Sequence, residues 1–156
     1  MMEKIITKND KETKEVAKNL ASEILNKGPG KRAMILALRG NLGAGKTTFT
    51  QGFAKGLGIK GKILSPTFVI LKKYKIRKTT HYPLQTKNYE YFYHIDCYRL
   101  NSKKDLEVLG FKEIILNPKN IIAIEWPEKV KGILPKDVIV IKCKHINGGR
   151  RLSIKI

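Results

Sequence analysis

The apolar run AMILAL at 33–38 passes without a break into GNLGAGKTTF, where Gly40, Gly43 and Gly45 precede Lys46 and Thr47; Phe49, Phe53 and Leu57 then recur four apart. A continuous apolar run suits a strand covered on both faces, and the four-residue recurrence suits a helix. Glycines between the two let the chain turn where a Cβ would clash. The stretch therefore predicts strand, phosphate loop and helix in the pattern GxxxxGK[ST], with Gly58 as the helix stop. Such a loop brings consecutive N–H groups, those of Leu42, Gly43, Ala44, Gly45, Lys46, Thr47 and Thr48, around a diphosphate at the positive end of a helix dipole. Lys46 then reaches the β- and γ-phosphates, and the Thr47 hydroxyl ligates Mg²⁺. The plainer alternative is a glycine-rich structural turn.

The rest of the chain supplies a frame for that unit. Residues 2–7 form a short strand, and Asn9 or Asp10 caps a helix to about Lys27, with Val16, Leu20 and Ile24 on one face and GPG at its end. Two further apolar runs end in an acid: YEYFYHID at Asp96 and NIIAIE at Glu125. Ser102 and Asp105 form a box-like helix start, and DLEVLGFKEII gives one or two short helices with a break at Gly110. DVIVIKCKHI and RRLSIKI flank an NGG turn as a hairpin, with Leu152, Ile154 and Ile156 on one face. The order predicts an α/β fold of one domain, residues 1–156: a mostly parallel sheet flanked by helices, closed by an antiparallel C-terminal hairpin. The stretch 72–91, rich in lysine and tyrosine, is left as an exposed basic hairpin or loop, or else a basic, aromatic platform for RNA or a protein.

Magnesium at a phosphate loop calls for a carboxylate at the end of a neighbouring strand. Asp96 and Glu125 occupy such ends in a chain with only 13 acidic residues, which favours a functional role over that of ordinary surface acids. His94 either shapes the site or is a buried, hydrogen-bonded histidine; Trp126 and Pro127 either flank the nucleotide or pack beside the loop. Cys97 and Cys143 are far apart and have only His81, His94 and His145 as metal partners, so buried or free thiols are expected, not zinc or a disulfide. No run approaches the length needed to cross a bilayer, so a cytoplasmic protein without membrane association is expected.

The net charge of +19 raises the question of nucleic acid. Lysine outnumbers arginine 26 to 6 and is scattered along the chain, which also fits a solvated basic exterior or an acidic partner.

The set GNLGAGKTTFTQGFAKGLGI, SPTF at 65–68, HIDCYRL at 94–100, LEVLGFKEI at 106–114 and IEWPEKVKGILP at 124–135 resembles the TsaE (YjeE) family over residues 10 to about 152. That family is the small bacterial ATPase required for N6-threonylcarbamoyladenosine in tRNA. The resemblance implies a P-loop NTPase-like fold that hydrolyses ATP slowly to ADP and serves a complex of TsaD and TsaB, with any tRNA contact indirect. Carried over by position, Lys46 and the loop amides bind phosphates, Thr47 and Glu125 hold Mg²⁺, and Asp96 positions water or metal. Ser65, Pro66 and Thr67 resemble a switch segment, Trp126 flanks the nucleotide, and Arg150 approaches the adenine side. The chain departs from the family pattern at Cys97, where an apolar residue is usual, and in a longer segment between SPTF and HIDCYRL; after RRLSIKI no additional C-terminal helix is expected.

Two other functions share parts of this pattern. A small-molecule kinase uses the same loop but needs a lid of arginines over the phosphates, and the six arginines here do not cluster. A basic RNA-binding module with a structural nucleotide is the other.

Overall fold

The computed structural model describes residues 2–77, 88–130 and 132–156. Seven strands form one sheet: β1 (Met2–Thr7), β2 (Met34–Arg39), β3 (Leu71–Lys75), β4 (Tyr91–Asp96), β5 (Asn120–Glu125), β6 (Ile139–Ile146) and β7 (Gly149–Lys155), in the spatial order β1-β7-β6-β2-β5-β4-β3. The inner strands β6, β2, β5 and β4 are parallel, and β1, β7 and β3 add antiparallel edges. Every residue of β5 is buried, as its unbroken apolar sequence requires of a central strand.

Helices α1 (Asp10–Lys27) and α2 (Lys46–Gly56) cover one face, where Leu20, Ile24, Phe49, Phe53 and Leu57 pack on Leu36, Leu38 and Ile141. The cap of α1 is Asn9, whose Oδ1 accepts the Glu12 N–H at 2.9 Å, while Glu12 returns a carboxylate to Lys8 N. Helices α3 (Lys103–Glu107) and α4 (Phe111–Leu116) lie on the other face, separated at Gly110, so DLEVLGFKEII yields two helices.

The structure departs from the sequence reading at three points. The strand read at 33–38 runs from Met34 to Arg39. Leu71–Lys75 is an edge strand antiparallel to β4, so this part of the 72–91 stretch takes the hairpin reading; residues 78–87, with His81 and Pro83, fall outside the described residues. Leu152 and Ile154 are buried, but Ile156 is exposed, one residue beyond the last ladder pair, Met2 with Lys155.

Both cysteines are free and buried, and burial pushes each thiol up to about 12 from the usual 9.0. Burial likewise raises the Tyr89 hydroxyl, which donates to Gly28 O at 2.8 Å, to about 12 from 10.0. These groups stay protonated in the fold but ionise sooner in the unfolded chain. Their contribution is thus complete below pH 9 and is lost as pH rises toward 12. Urea midpoints are expected to hold to about pH 8.5 and then fall, and a Cys97→Ala/Cys143→Ala protein, less stable at neutral pH, to decline less steeply above pH 9.

Candidate functional site

Three parallel strands end at the same level of the sheet. Leu38, the penultimate residue of β2, pairs with Glu125 at the end of β5, and Glu125 pairs with Asp96 at the end of β4. The loop after β2 therefore emerges beside two carboxylates, at the carboxyl edge where open α/β sheets hold ligands.

The loop is tightly fitted. Gly40 has φ 147° and a Cβ there would run into the Cys143 carbonyl; Gly45 has φ 99° and a Cβ there would come within 2.7 Å of Arg150 Nε. α2 starts directly after Gly45, so its free N–H groups face the loop's concavity. Leu42, Gly43, Gly45, Lys46, Thr47, Thr48, Ser65, Thr67, Asp96, Tyr98, Glu125, Trp126 and Arg150 line a cavity of about 240 Å³ there. Of the loop residues named from sequence, Ala44 does not line it: its N–H is turned to Asn41 O at 3.1 Å.

Lys46 is only 5% exposed, and its Nζ donates to Gly40 O at 2.7 Å and Asn41 O at 3.0 Å, 4.2 Å above the Trp126 ring. These neutral acceptors hold the ammonium inside the loop and, among the described residues, leave its charge without a carboxylate partner, the condition under which a buried cation takes an anion. Trp126 has φ 57°, uncommon for a bulky side chain, and its N–H reaches Leu38 O at 3.3 Å; this turn carries the ring over Lys46 and against Tyr98, 5.1 Å between centroids.

Glu125 is 3% exposed and takes Thr47 Oγ1 at 3.1 Å and His94 Nε2 at 2.8 Å on the same Oε1. His94 is thus both buried and, through Glu125, part of the site, and its Nδ1 has no partner among the described residues. Asp96 forms a second acidic group: Oδ2 accepts from Thr67 Oγ1 at 2.6 Å and Ser65 Oγ at 3.1 Å, and Oδ1 from Tyr98 N at 2.9 Å. Pro66 stays out of the cavity and shapes the turn, its carbonyl accepting from Val69 N and Ile70 N. Ile70, the other described non-glycine residue with left-handed backbone, returns its carbonyl to Asp96 N at 2.9 Å. Strain at Ile70 and Trp126 thus flanks the two carboxylates on either side. Arg150 lines the cavity beside Gly45, held by Asp10 at 2.6 Å and Thr13 at 3.3 Å, with Nε unpartnered.

Sequence reasoning passed over Tyr98, which holds Asp96 through its amide and packs on Trp126. Its position two residues after Asp96 in HIDCYRL was the available signal. Pro127 is buried and opens the 3-10 turn Pro127–Val130 that follows Trp126, with Lys129 exposed.

The residues present suit a triphosphate with a divalent cation. A buried ammonium held only by carbonyls among the described residues, a left-handed glycine at a helix start, Arg150 and a hydroxyl–carboxylate pair all line the one cavity. Among the described residues no three histidine, cysteine or acidic side chains gather as a metal cluster; the Thr47 hydroxyl bonded to the Glu125 carboxylate is the donor pair next to the loop, and Asp96 lines the same cavity. No helix among those residues is long and apolar enough to cross a membrane.

Comparisons with known proteins agree with this architecture. The family model for threonylcarbamoyl adenosine biosynthesis protein TsaE matches residues 7–152. Proteins named tRNA threonylcarbamoyladenosine biosynthesis protein TsaE are similar to this chain in Haemophilus influenzae, at 35% identity over 85% of this chain and 77% of the relative, and in Bacillus subtilis, at 37% over 93% and 79%. The crystal structure of Bacillus subtilis YdiB superposes with a TM-score of 0.71 at 32% identity, covering 99% of this chain and 84% of that one. With the fold, the loop and the paired strand ends in this order, the chain belongs to the TsaE family of tRNA threonylcarbamoyladenosine biosynthesis.

Proposed function

We propose that the protein is a single-domain, Mg²⁺-dependent ATPase of the cytoplasm that acts on TsaD and TsaB in threonylcarbamoyladenosine modification of tRNA. The observation that carries this reading is the Thr47–Glu125 pair at 3.1 Å beside the unpaired ammonium of Lys46. A hydroxyl and a carboxylate at that spacing would hold one divalent cation, which would supply charge neutralisation beside bound phosphate.

In this reading Lys46 exchanges its two loop carbonyls for the β- and γ-phosphates, and the amides around Gly43 and Gly45 cradle the diphosphate. Thr47 and Glu125 hold Mg²⁺, which when bound neutralises charge that builds on the phosphate oxygens. His94 fixes the Glu125 carboxylate, and Trp126 flanks the nucleotide, with Arg150 at its far side. Asp96 would orient a water in line with the γ-phosphorus; the water oxygen bonds to phosphorus as the bond to the β–γ bridge oxygen breaks, giving ADP and inorganic phosphate, with the water proton passing to phosphate or solvent. Ser65, Thr67 and the Tyr98 amide already occupy Asp96. Movement of the 65–67 segment would free Asp96 Oδ2 for a water, which gives a partner a place to act.

Phosphate release by the purified protein is expected to be slow, to require Mg²⁺ and to rise when TsaD and TsaB are added. Phosphate appearing on an added acceptor would identify a kinase instead. A protein that neither warms a calorimeter nor gains melting temperature with Mg·ATP would end the reading altogether.

A further inference from the structure

We infer that the sheet face left bare beside the phosphate loop binds the phosphate backbone of duplex RNA. α1 and α2 cover one face of the sheet, but on the other α3 and α4 reach only β2, β5 and β4. Among the described residues, the second face of β6, β7 and β1 carries no helix. Strand alternation sends Lys142 and Lys144 of β6, Arg151 and Lys155 of β7 and Lys4 of β1 to that face, with Arg39 at the end of β2, and all six are exposed.

Register assembles these cations into a lattice. Lys144 stands opposite Arg151, Arg39 beside Lys142, and Lys142 opposite Ser153, which in turn faces Lys4. Neighbours in such a lattice lie roughly 5 Å apart, and like charges directly opposite destabilise a strand pair. The remaining outward positions, Met2, Ile6, Val140, Ile146 and Ser153, bring no carboxylate, and among the described residues no ion pair engages any of the six cations. A shallow depression of about 800 Å³ joins this lattice to the outer side of the phosphate loop at Gly40–Gly43. An array that costs stability in the free protein is explained by a polyanion that neutralises it.

The composition of the face selects among polyanions. Protein interfaces deplete lysine from their cores, which counts against an acidic protein. Single-stranded RNA is held by aromatic stacking, and the outward positions of β1, β6 and β7 hold no phenylalanine, tyrosine or tryptophan. Duplex RNA is recognised chiefly through phosphates and shape, for which a flat, cationic lattice suffices.

The test uses a labelled RNA duplex of about 16 base pairs, a U-rich single strand of equal charge, and two triple variants of equal net charge: Lys142→Glu/Lys144→Glu/Arg151→Glu on this face and Lys103→Glu/Lys104→Glu/Lys112→Glu on α3 and α4. The wild type is expected to prefer the duplex. The sheet-face triple should bind it at least about 30-fold more weakly, with the slope of log affinity against log salt reduced by about 3, whereas the α3–α4 triple changes by less than about threefold. A neutral Lys142→Gln/Lys144→Gln/Arg151→Gln protein should lose affinity in the same direction, which guards against a folding defect in the reversed variant. Equal losses in both Glu triples, preference for the single strand, or no duplex binding at low salt overturns the inference. So does intact RNA binding in a sheet-face triple that no longer joins TsaD and TsaB, which would mark the face as a protein-docking surface. None of the altered residues lines the 240 Å³ cavity, so Mg·ATP stabilisation should persist in both triples. Its absence from the wild type would sink the ATPase reading without touching the RNA result.

Discussion

Lys46→Ala is expected to weaken ATP binding at least about 100-fold, about 2.7 kcal/mol, and to abolish the rise in melting temperature given by Mg·ATP. The ammonium is buried with two carbonyls and an aromatic face as its only described company. Such a charge contributes little to the free protein, because its desolvation offsets what two neutral acceptors return. Charge-assisted bonds to phosphate are roughly twice as strong as neutral ones, so most of its effect should appear only with ligand bound. The variant should therefore melt within a few degrees of wild type when no nucleotide is present and remain there when Mg·ATP is added. Retained affinity, read by calorimetry, would mean that Lys46 keeps its loop carbonyls in the complex and that the phosphates lie elsewhere.

Why that residue was identifiable in advance, while others were not, follows from the kind of information each position carries. Gly40, Gly45, Lys46 and Thr47 lie within one strand–loop–helix unit, so local periodicity and glycine spacing specify them. Glu125 and Asp96 end apolar runs, and parallel pairing then aligns the ends without further instruction. β3 has no such signature. LKKYK is half-exposed and basic, and it becomes a strand only because β4 offers an open edge, with Lys73 resting over the Tyr91 ring at 3.8 Å. The Ser65 and Thr67 bonds to Asp96 are equally non-local: they depend on a turn at Ile70 in a conformation that a β-branched residue disfavours, and no sequence period announces it. Ile156 continues the alternation of Leu152 and Ile154, but the ladder ends at Lys155, so pattern alone overextends the buried row.

Glu125→Gln should separate binding from hydrolysis. The amide keeps the shape of the carboxylate and can still accept from Thr47, so the cavity wall stays in place; what it loses is the negative charge that makes the site a cation ligand. Magnesium-dependent phosphate release is expected to fall by about 10²–10³-fold, the loss seen when one electrostatic contact to a transition state is removed, while ATP affinity changes by less than about tenfold. Asp96→Ala should also slow hydrolysis with binding kept, but by a different route: Ser65, Thr67 and the Tyr98 amide lose their common acceptor, and the 65–67 segment is released. The two variants are told apart by magnesium titration. In Glu125→Gln the half-saturating Mg²⁺ concentration should rise, whereas in Asp96→Ala it should stay near the wild-type value because Thr47 and Glu125 are untouched. Wild-type turnover in both would remove the two carboxylates from the chemistry and leave intact the assignment of the loop as the nucleotide-binding element, since the described bonds of Lys46 run to Gly40 and Asn41 and to neither acid.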